Sequence, residues 1–291
     1  MSARSATSAT AEVKVSRRPP RIWDPPTWAL LVFALIYLAA LAALIFLPGD
    51  TLLARLRALD GGICAQLPSH SFYPAGQQLP LCARNTGIYL GFALGFLTLL
   101  GTGRVRAARL PRWPVALLLV GLVGFMALDG FNSLFLDLGL PHLYQPQNPL
   151  RLTTGLGAGV AMVAFITPVT NSILWRAEDA RASFRSFAQL SVVAPLLLLA
   201  LLAVASQVGW LLYPIALLSS AGLLLALSLV NLVFLLSFSP LIGRFERWRQ
   251  MLPVFTVALG LAVIELTLLF KLKLALLHAL ALSLPPTAPV H

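Results

Sequence analysis

Apolar positions in this chain fall in long runs rather than in alternating or short stretches. Runs of span length, about 17–25 residues, occur at 27–47, 86–102, 113–131, 151–174, 188–208, 211–239 and 252–275. Their length predicts transmembrane helices, and so an all-α polytopic bundle of seven spans. The second run is the shortest and spans only if Thr86 and Gly87 begin inside the interface. A few residues around QVGWLLYP (207–214) separate the fifth and sixth runs, which predicts a tight helical hairpin. The segment 131–149 is too polar and too broken by proline to span. It is expected on the external interface as a short amphipathic helix and a loop.

The polar positions between the runs give an orientation. One set of alternate connections carries Arg4, Lys14, Arg17, Arg18 and Arg21; Arg104, Arg106, Arg109 and Arg112; Arg176, Arg181 and Arg185; and Arg244, Arg247 and Arg249. The other set keeps Arg55, Arg57, Arg84, Arg151, Lys271 and Lys273. Lys and Arg mark the cytoplasmic side, so the N-terminus is expected inside and the C-terminus outside. Trp23, Trp28, Trp113, Trp175 and Trp248 fall at the expected cytoplasmic ends and Trp210 at an external one, where aromatic anchors belong.

Composition agrees with lipid as the main solvent. The chain is 58% hydrophobic and 11% charged, against about 25% charged residues in soluble domains. The formal net charge of +11 is spread in short blocks between spans, which speaks for loops and against nucleic acid. The expected organisation is a basic disordered tail (1–24), a membrane region (25–175) with an external loop (48–85), a three-span membrane region (176–283) and a short tail (284–291). The expected location is the plasma (inner) membrane, multi-pass.

Both cysteines, Cys64 and Cys82, lie in the external loop. An oxidising compartment favours a disulfide between them, which would staple the loop. Free thiols and a metal site remain open. The metal site would need His70 and His142 as well, because structural zinc takes four ligands, and no regular ligand spacing supports it.

The same loop carries a resemblance. ICAQLPSHSFYPAGQQLPLCARNTGIYLGF (63–92) resembles the signature of an uncharacterised prokaryotic membrane-protein family, that of domain of unknown function 2085. The matching residues are Cys64, Gln66, Ser71, Phe72, Gly76, Leu79, Pro80, Cys82, Ala83, Arg84 and Thr86 through Tyr89, then Gly91. Asp129–Gly130, Asn148, Leu150–Arg151 and Thr154–Gly155 follow in the family's order, so the likeness covers about 60–165. Two positions depart from it. Ala65 stands where the family has His, and Asn85 where it has the second cysteine of C-A-R-C. The resemblance implies an architecture and no reaction, and these departures argue against a metal or thiol enzyme in this chain.

Ionisable residues at membrane depth are functional candidates by default. Arg84 opens the second span, Asp129 lies near the external end of the third and Arg151 opens the fourth. Three charges from three consecutive helices are thus expected at one level. They form either an ion pair that pins helix ends or a pocket for an anion or lipid headgroup, in which the forked donors of arginine suit phosphate or carboxylate. Glu265 sits mid-span without a cation at helical spacing and is expected to hydrogen-bond Asn171, Ser219 or Asn231. Gly87, Gly91 and Gly95, and Gly155 and Gly159, make small-residue stripes that let helices approach closely. No nucleotide-binding loop, H-E-x-x-H or G-x-S-x-G occurs. The expectation is a non-enzymatic scaffold, accessory or lipid-binding membrane protein with no cofactor. Its expected partners are the lipid bilayer and either an anionic lipid or a partner membrane protein. The alternatives are a transporter using the Arg/Asp cluster and Glu265, and a membrane enzyme with a metal or thiol site in the loop.

Overall fold

The computed structural model describes residues 49–283, with Leu35 alone before them. The expected first span, both tails, Trp23 and Trp28 otherwise lie outside the described residues. The fold is an all-α bundle. Its helices are α1 (Leu52–Asp60), α2 (Ala83–Gly101), α3 (Trp113–Asp137), α4 (Asn148–Leu174), a short α5 (Phe187–Leu190), α6 (Ala194–Ala205), α7 (Leu212–Ser237) and α8 (Trp248–Ser283). Among the described residues, five helical segments are long and apolar enough to cross a membrane: α3, α4, Phe187–Ala205, Gly209–Ser237 and Trp248–Ala279. Helix α2 is not one of them, because its first turn holds Arg84, Asn85 and Thr86. It is largely enclosed by protein, so this polar turn meets other side chains rather than lipid.

Glycines set the central packing. A Cβ at Gly87 or Gly91 of α2 would collide with the backbone oxygens of Leu152 and Leu156 on α4. In return, a Cβ at Gly155 or Gly159 would strike the oxygens of Arg84 and Ile88 on α2. The two stripes are therefore the two faces of one seam, with the backbones in direct contact. Gly222 brings α7 equally close to Tyr89 on the other side of α2. By contrast α3 is mostly exposed, with Leu117, Phe125, Leu128 and Phe131 turned outward. The expected hairpin is present: α6 ends at Ala205, a single 3-10 turn covers Gly209–Leu211, and α7 follows.

At one end of the bundle the arginine-rich connections meet. Strand β1 (Ala107–Arg109) pairs in parallel with β2 (Asp179–Ala182), an element that the apolar pattern did not predict. Arg104 donates to Ala182 O at 2.9 Å and Arg181 to Gly103 O at 2.9 Å. Asn171 holds the strand to α4 by donating to Val105 O and Ala107 O. Trp175 is enclosed here rather than facing lipid: Arg106 stacks on its ring at 3.9 Å, and Trp248 meets it edge-on at 4.8 Å. Pro168 within α4 lacks the N–H that would bond Ala164 O. The buried Ser183 hydroxyl donates to that carbonyl at 2.8 Å and so repairs the gap.

At the other end, residues 49–82 form a packed cap. The expected Cys64–Cys82 disulfide is absent, and both cysteines are free. Cys64 is buried, and its Sγ accepts the Cys82 backbone N–H at 3.2 Å. The sulfur thus serves as a hydrogen-bond acceptor at the N-cap of α2. Hydrogen bonding from Cys82 holds the Cys64 thiol below its ordinary range, and the same contact pushes Cys82 up. Side chains bonded to backbone carbonyls do the stapling instead. Gln66 donates to Arg57 O and Pro80 O at 2.8 and 2.7 Å. Lys273 of α8 donates to Cys64 O at 2.9 Å, just past the C-terminus of α1, where a cation offsets the helix dipole. The segment 131–149 also differs from expectation. Helix α3 continues unbroken through Asp137, and only 138–147 is loop.

Two outcomes follow from this packing. Gly159→Val should lower the thermal unfolding midpoint in detergent by several degrees, because the collision is with backbone that cannot turn aside; overpacking of this kind costs about 1–3 kcal/mol or more. Gly121→Ala on α3, where a Cβ meets open space, should leave the midpoint unchanged. Equal midpoints for the two variants would contradict the seam. Protein unfolded without reductant should take up two maleimide labels per chain; uptake only after reduction would restore the disulfide.

Candidate functional site

At the cap end of the bundle, α2, α3 and α4 converge on one buried polar cluster. Arg84 and Arg151 stand in the first turns of α2 and α4, two helices that Gly155 brings together next to Arg84 O. Asp129 lies two turns before the end of α3, and its side chain is only 2% exposed. Arg84 Nη2 donates to Asp129 Oδ2 at 2.5 Å, and Tyr144 OH donates to Oδ1 at 2.8 Å. Both carboxylate oxygens are thereby satisfied, which a buried charge requires.

Arg151 does not share this carboxylate. Its Nε donates to Ser133 Oγ at 3.3 Å and its Nη1 to Asn148 Oδ1 at 2.8 Å. Ser133 also accepts Arg84 Nη2 at 3.2 Å, so one hydroxyl bridges two guanidinium groups. Arg84 Nε is buried without a partner. Two arginines thus surround one buried carboxylate, so among the buried groups one positive charge is in excess. A further acid, Asp137, acts on Arg151 from the exposed edge of the cluster and pairs with His70 at 3.3 Å. Burial, with help from Arg151, holds His70 below its usual range against the pull of Asp137. Neutral His70 adds no charge near neutral pH.

The loop after α3 closes the cluster. Asn132 accepts from Leu143 N at 2.7 Å and donates to Tyr144 O at 2.9 Å, which fixes Tyr144 above Asp129. Asn148 donates to Ser71 O at 3.1 Å and ties the cap to the start of α4. Arg84, Asp129 and Arg151 are therefore brought together, while the other sequence candidates go elsewhere. His142 contacts only its own loop, at Leu140 O and Gln145. Among the described residues, no three His, Cys, Asp or Glu side chains are gathered as metal ligands. Glu265 accepts from Asn231 at 3.0 Å across the α7–α8 contact. Asn171 and Ser219 bond within their own surroundings.

Sequence reasoning missed Ser133, Tyr144 and Asn132, and named Asn148 only as part of the family resemblance. Ser133 was within reach, since it lies four residues after Asp129 and on the same helix face. Tyr144 had no such signal, because a loop fold brings it back. Asp60 was also missed. It is buried at the end of α1, accepts Ser220 Oγ at 2.6 Å and leaves Oδ1 without a partner. Burial pushes its carboxyl up to about 7, with the Ser220 hydrogen bond pulling the other way.

The cluster falls within a stretch shared with other proteins. The family described as “Predicted membrane protein (DUF2085)” matches residues 64–165, which include all three charged members. An uncharacterised protein of Methanocaldococcus jannaschii is 30% identical over 122 residues, covering 42% of this chain and 72% of that protein. An uncharacterised protein of Methanothermobacter thermautotrophicus is 34% identical over 115 residues, covering 38% of this chain and 90% of its own length. No solved structure matches the chain. The match over α2 to α4 and the coverage of these archaeal relatives place the chain in one group with them: it belongs to the family of predicted membrane proteins defined by domain of unknown function 2085.

Proposed function

We propose that the chain is a non-enzymatic, multi-pass protein of the plasma membrane that binds the phosphate of an anionic lipid headgroup at the outer ends of α2, α3 and α4. The orientation is the one that the arginine-rich connections indicate, with the Arg84–Asp129–Arg151 cluster on the external side. The observation that carries the reading is the excess charge: two guanidinium groups around a single buried carboxylate. A phosphate oxygen would supply the missing acceptor. Charge-assisted bonds of this kind are worth about 1.5–3 kcal/mol each. Ser133 and Asn148 hold the Arg151 guanidinium in place before any ligand arrives, which reduces the ordering cost of binding. Full seven-span threading, with 27–47 as the first span, belongs to the same proposal.

The test is lipid retention by protein purified in detergent and measured by native mass spectrometry, comparing phosphatidylglycerol with phosphatidylcholine. Wild type should prefer the anionic lipid. Arg151→Ala should weaken that preference roughly ten- to a hundredfold, as loss of one or two charge-assisted bonds implies, while the unfolding midpoint stays close to wild type. Asp129→Asn should keep or strengthen it, because the internal competitor for the guanidinium groups is gone. If Asp129→Asn and Arg151→Ala both lower stability and neither changes lipid preference, the cluster is a structural pin and the proposal fails.

A further inference from the structure

Helix α1 carries an acid where its pattern calls for a hydrocarbon. Leu53, Leu56 and Asp60 follow at i, i+3 and i+7, one face of a helix, and all three are buried. That face is pressed into the bundle. A Cβ at Gly61 would meet the Phe270 ring of α8, and one at Gly62 the Leu266 carbonyl, so the end of α1 lies directly against that helix. From the other side Ser220 of α7 donates to Asp60 Oδ2 at 2.6 Å. Asp60 thus sits where the cap meets two spanning helices.

This corner opposes a negative charge on Asp60. The residue is 0% exposed. Its Oδ1 has no partner and its Oδ2 has one neutral hydroxyl, too little to replace the water that an ionised carboxylate loses. It is the last residue of α1, at the negative end of the helix dipole. The cation that α8 brings here, Lys273, is bonded to carbonyl oxygens instead, Cys64 O at 2.9 Å and Gly61 O at 3.4 Å. Arg57 of α1 itself is turned to Gln78 O at 3.2 Å. Cys64 from the cap and Tyr89 from α2 also face the carboxyl; both are acids, so neither supplies a positive charge. Burial accordingly pushes the carboxyl up to about 7.

We infer that Asp60 is a proton-binding site that latches the cap: with its proton it holds α1 against α7 and α8, and without it α1 lifts and residues 49–82 come away from the bundle. In the lifted state water solvates the carboxyl, which returns to its ordinary value of 3.8, whereas the seated state keeps the proton up to about 7. The seated state therefore binds one more proton between those values. The contribution of Asp60 to seating is complete below 3.8, falls as pH rises and is lost by about 7. Two other cap groups act with the opposite sign. Cys64, held at about 6 against an ordinary 9.0, favours the seated state as pH rises between those values. His70, held below its ordinary 6.5, favours it as pH rises towards 6.5. The Asp60 contribution is isolated by comparison with Asp60→Asn, whose amide has the shape of the protonated acid and no proton to lose.

The experiment is amide hydrogen exchange of the full chain in detergent, from about pH 5 to about pH 8, read on peptides from 49–82 and corrected for the chemical exchange rate. The opening constant of wild type divided by that of Asp60→Asn should rise about tenfold per pH unit up to about pH 7 and then level off, as linkage to one proton requires. The same ratio for peptides of α3 should stay flat. Ser220→Ala removes the one bond that favours the charged form, so it should move the levelling-off to higher pH. Nuclear magnetic resonance of carbon-13-labelled aspartate carboxyls in wild type needs no variant that fails to fold: one carboxyl should titrate near pH 7, and in Ser220→Ala that same signal should titrate higher. A cap ratio that does not change with pH would overturn the inference. So would aspartates that all titrate below about pH 5, or a carboxyl that keeps its proton beyond about pH 9, since neither could switch between the two states.

Discussion

Direct backbone contact between α2 and α4 is the constraint on which the other features depend. In lipid, burying apolar side chains does little to hold helices together, so close packing and interhelical polar contacts must do it. Gly87, Gly91, Gly155 and Gly159 remove the side chains that would keep the two helices apart. The contact also sets a register. Gly155 receives the oxygen of Arg84, so the first turns of α2 and α4 lie side by side and their arginines share one hydroxyl. Gly222 extends the same close packing to α7 and leaves α2 enclosed. A helix with so polar a first turn could not face lipid; inside the bundle its polar groups have partners.

The two ends of the bundle handle charge differently. At the strand end, several arginines are absorbed by neutral or acidic groups. Arg104 and Arg181 reach carbonyls, Arg106 stacks on Trp175, and Arg176 pairs with Glu246 at 2.9 Å. At the opposite end, Lys273 is taken up by the carbonyls of the cap, but Arg84 and Arg151 stand beside one buried carboxylate, which Arg84 alone bonds. A buried excess charge is expensive, and tolerating it fits a site that is completed by something from outside. This asymmetry, more than the ion pair itself, is what supports the proposed binding site over a structural pin.

Much of this was legible from residue pattern alone. Run length identified the long helices, and the spacing of glycines marked the seam, because both signals are local. Placing Arg84, Asp129 and Arg151 at one level needed only helix ends and connection order. What escaped the sequence was non-local. Tyr144 reaches Asp129 because Asn132 folds the loop back, and no spacing rule describes that return. The short parallel strands arise where two connections about 70 residues apart meet, and three-residue strands leave almost no pattern. Trp175 read as a lipid-facing anchor but is enclosed, since its partners Arg106, Asn171 and Trp248 come from three separate stretches. The two cysteines suggested a bond by their compartment, yet Cys64 serves as an acceptor for a backbone amide.

The central claim is that the excess charge beside Asp129 meets a lipid phosphate. It is tested most directly by solid-state NMR of the protein in bilayers containing phosphatidylglycerol, measuring dipolar coupling between guanidinium nitrogen-15 and lipid phosphorus-31. A coupling assigned to Arg151, at a strength that corresponds to direct hydrogen bonding, is the predicted result. Guanidinium signals from Arg84 and Arg151 that couple to no phosphorus, while arginines at the strand end do, would contradict it.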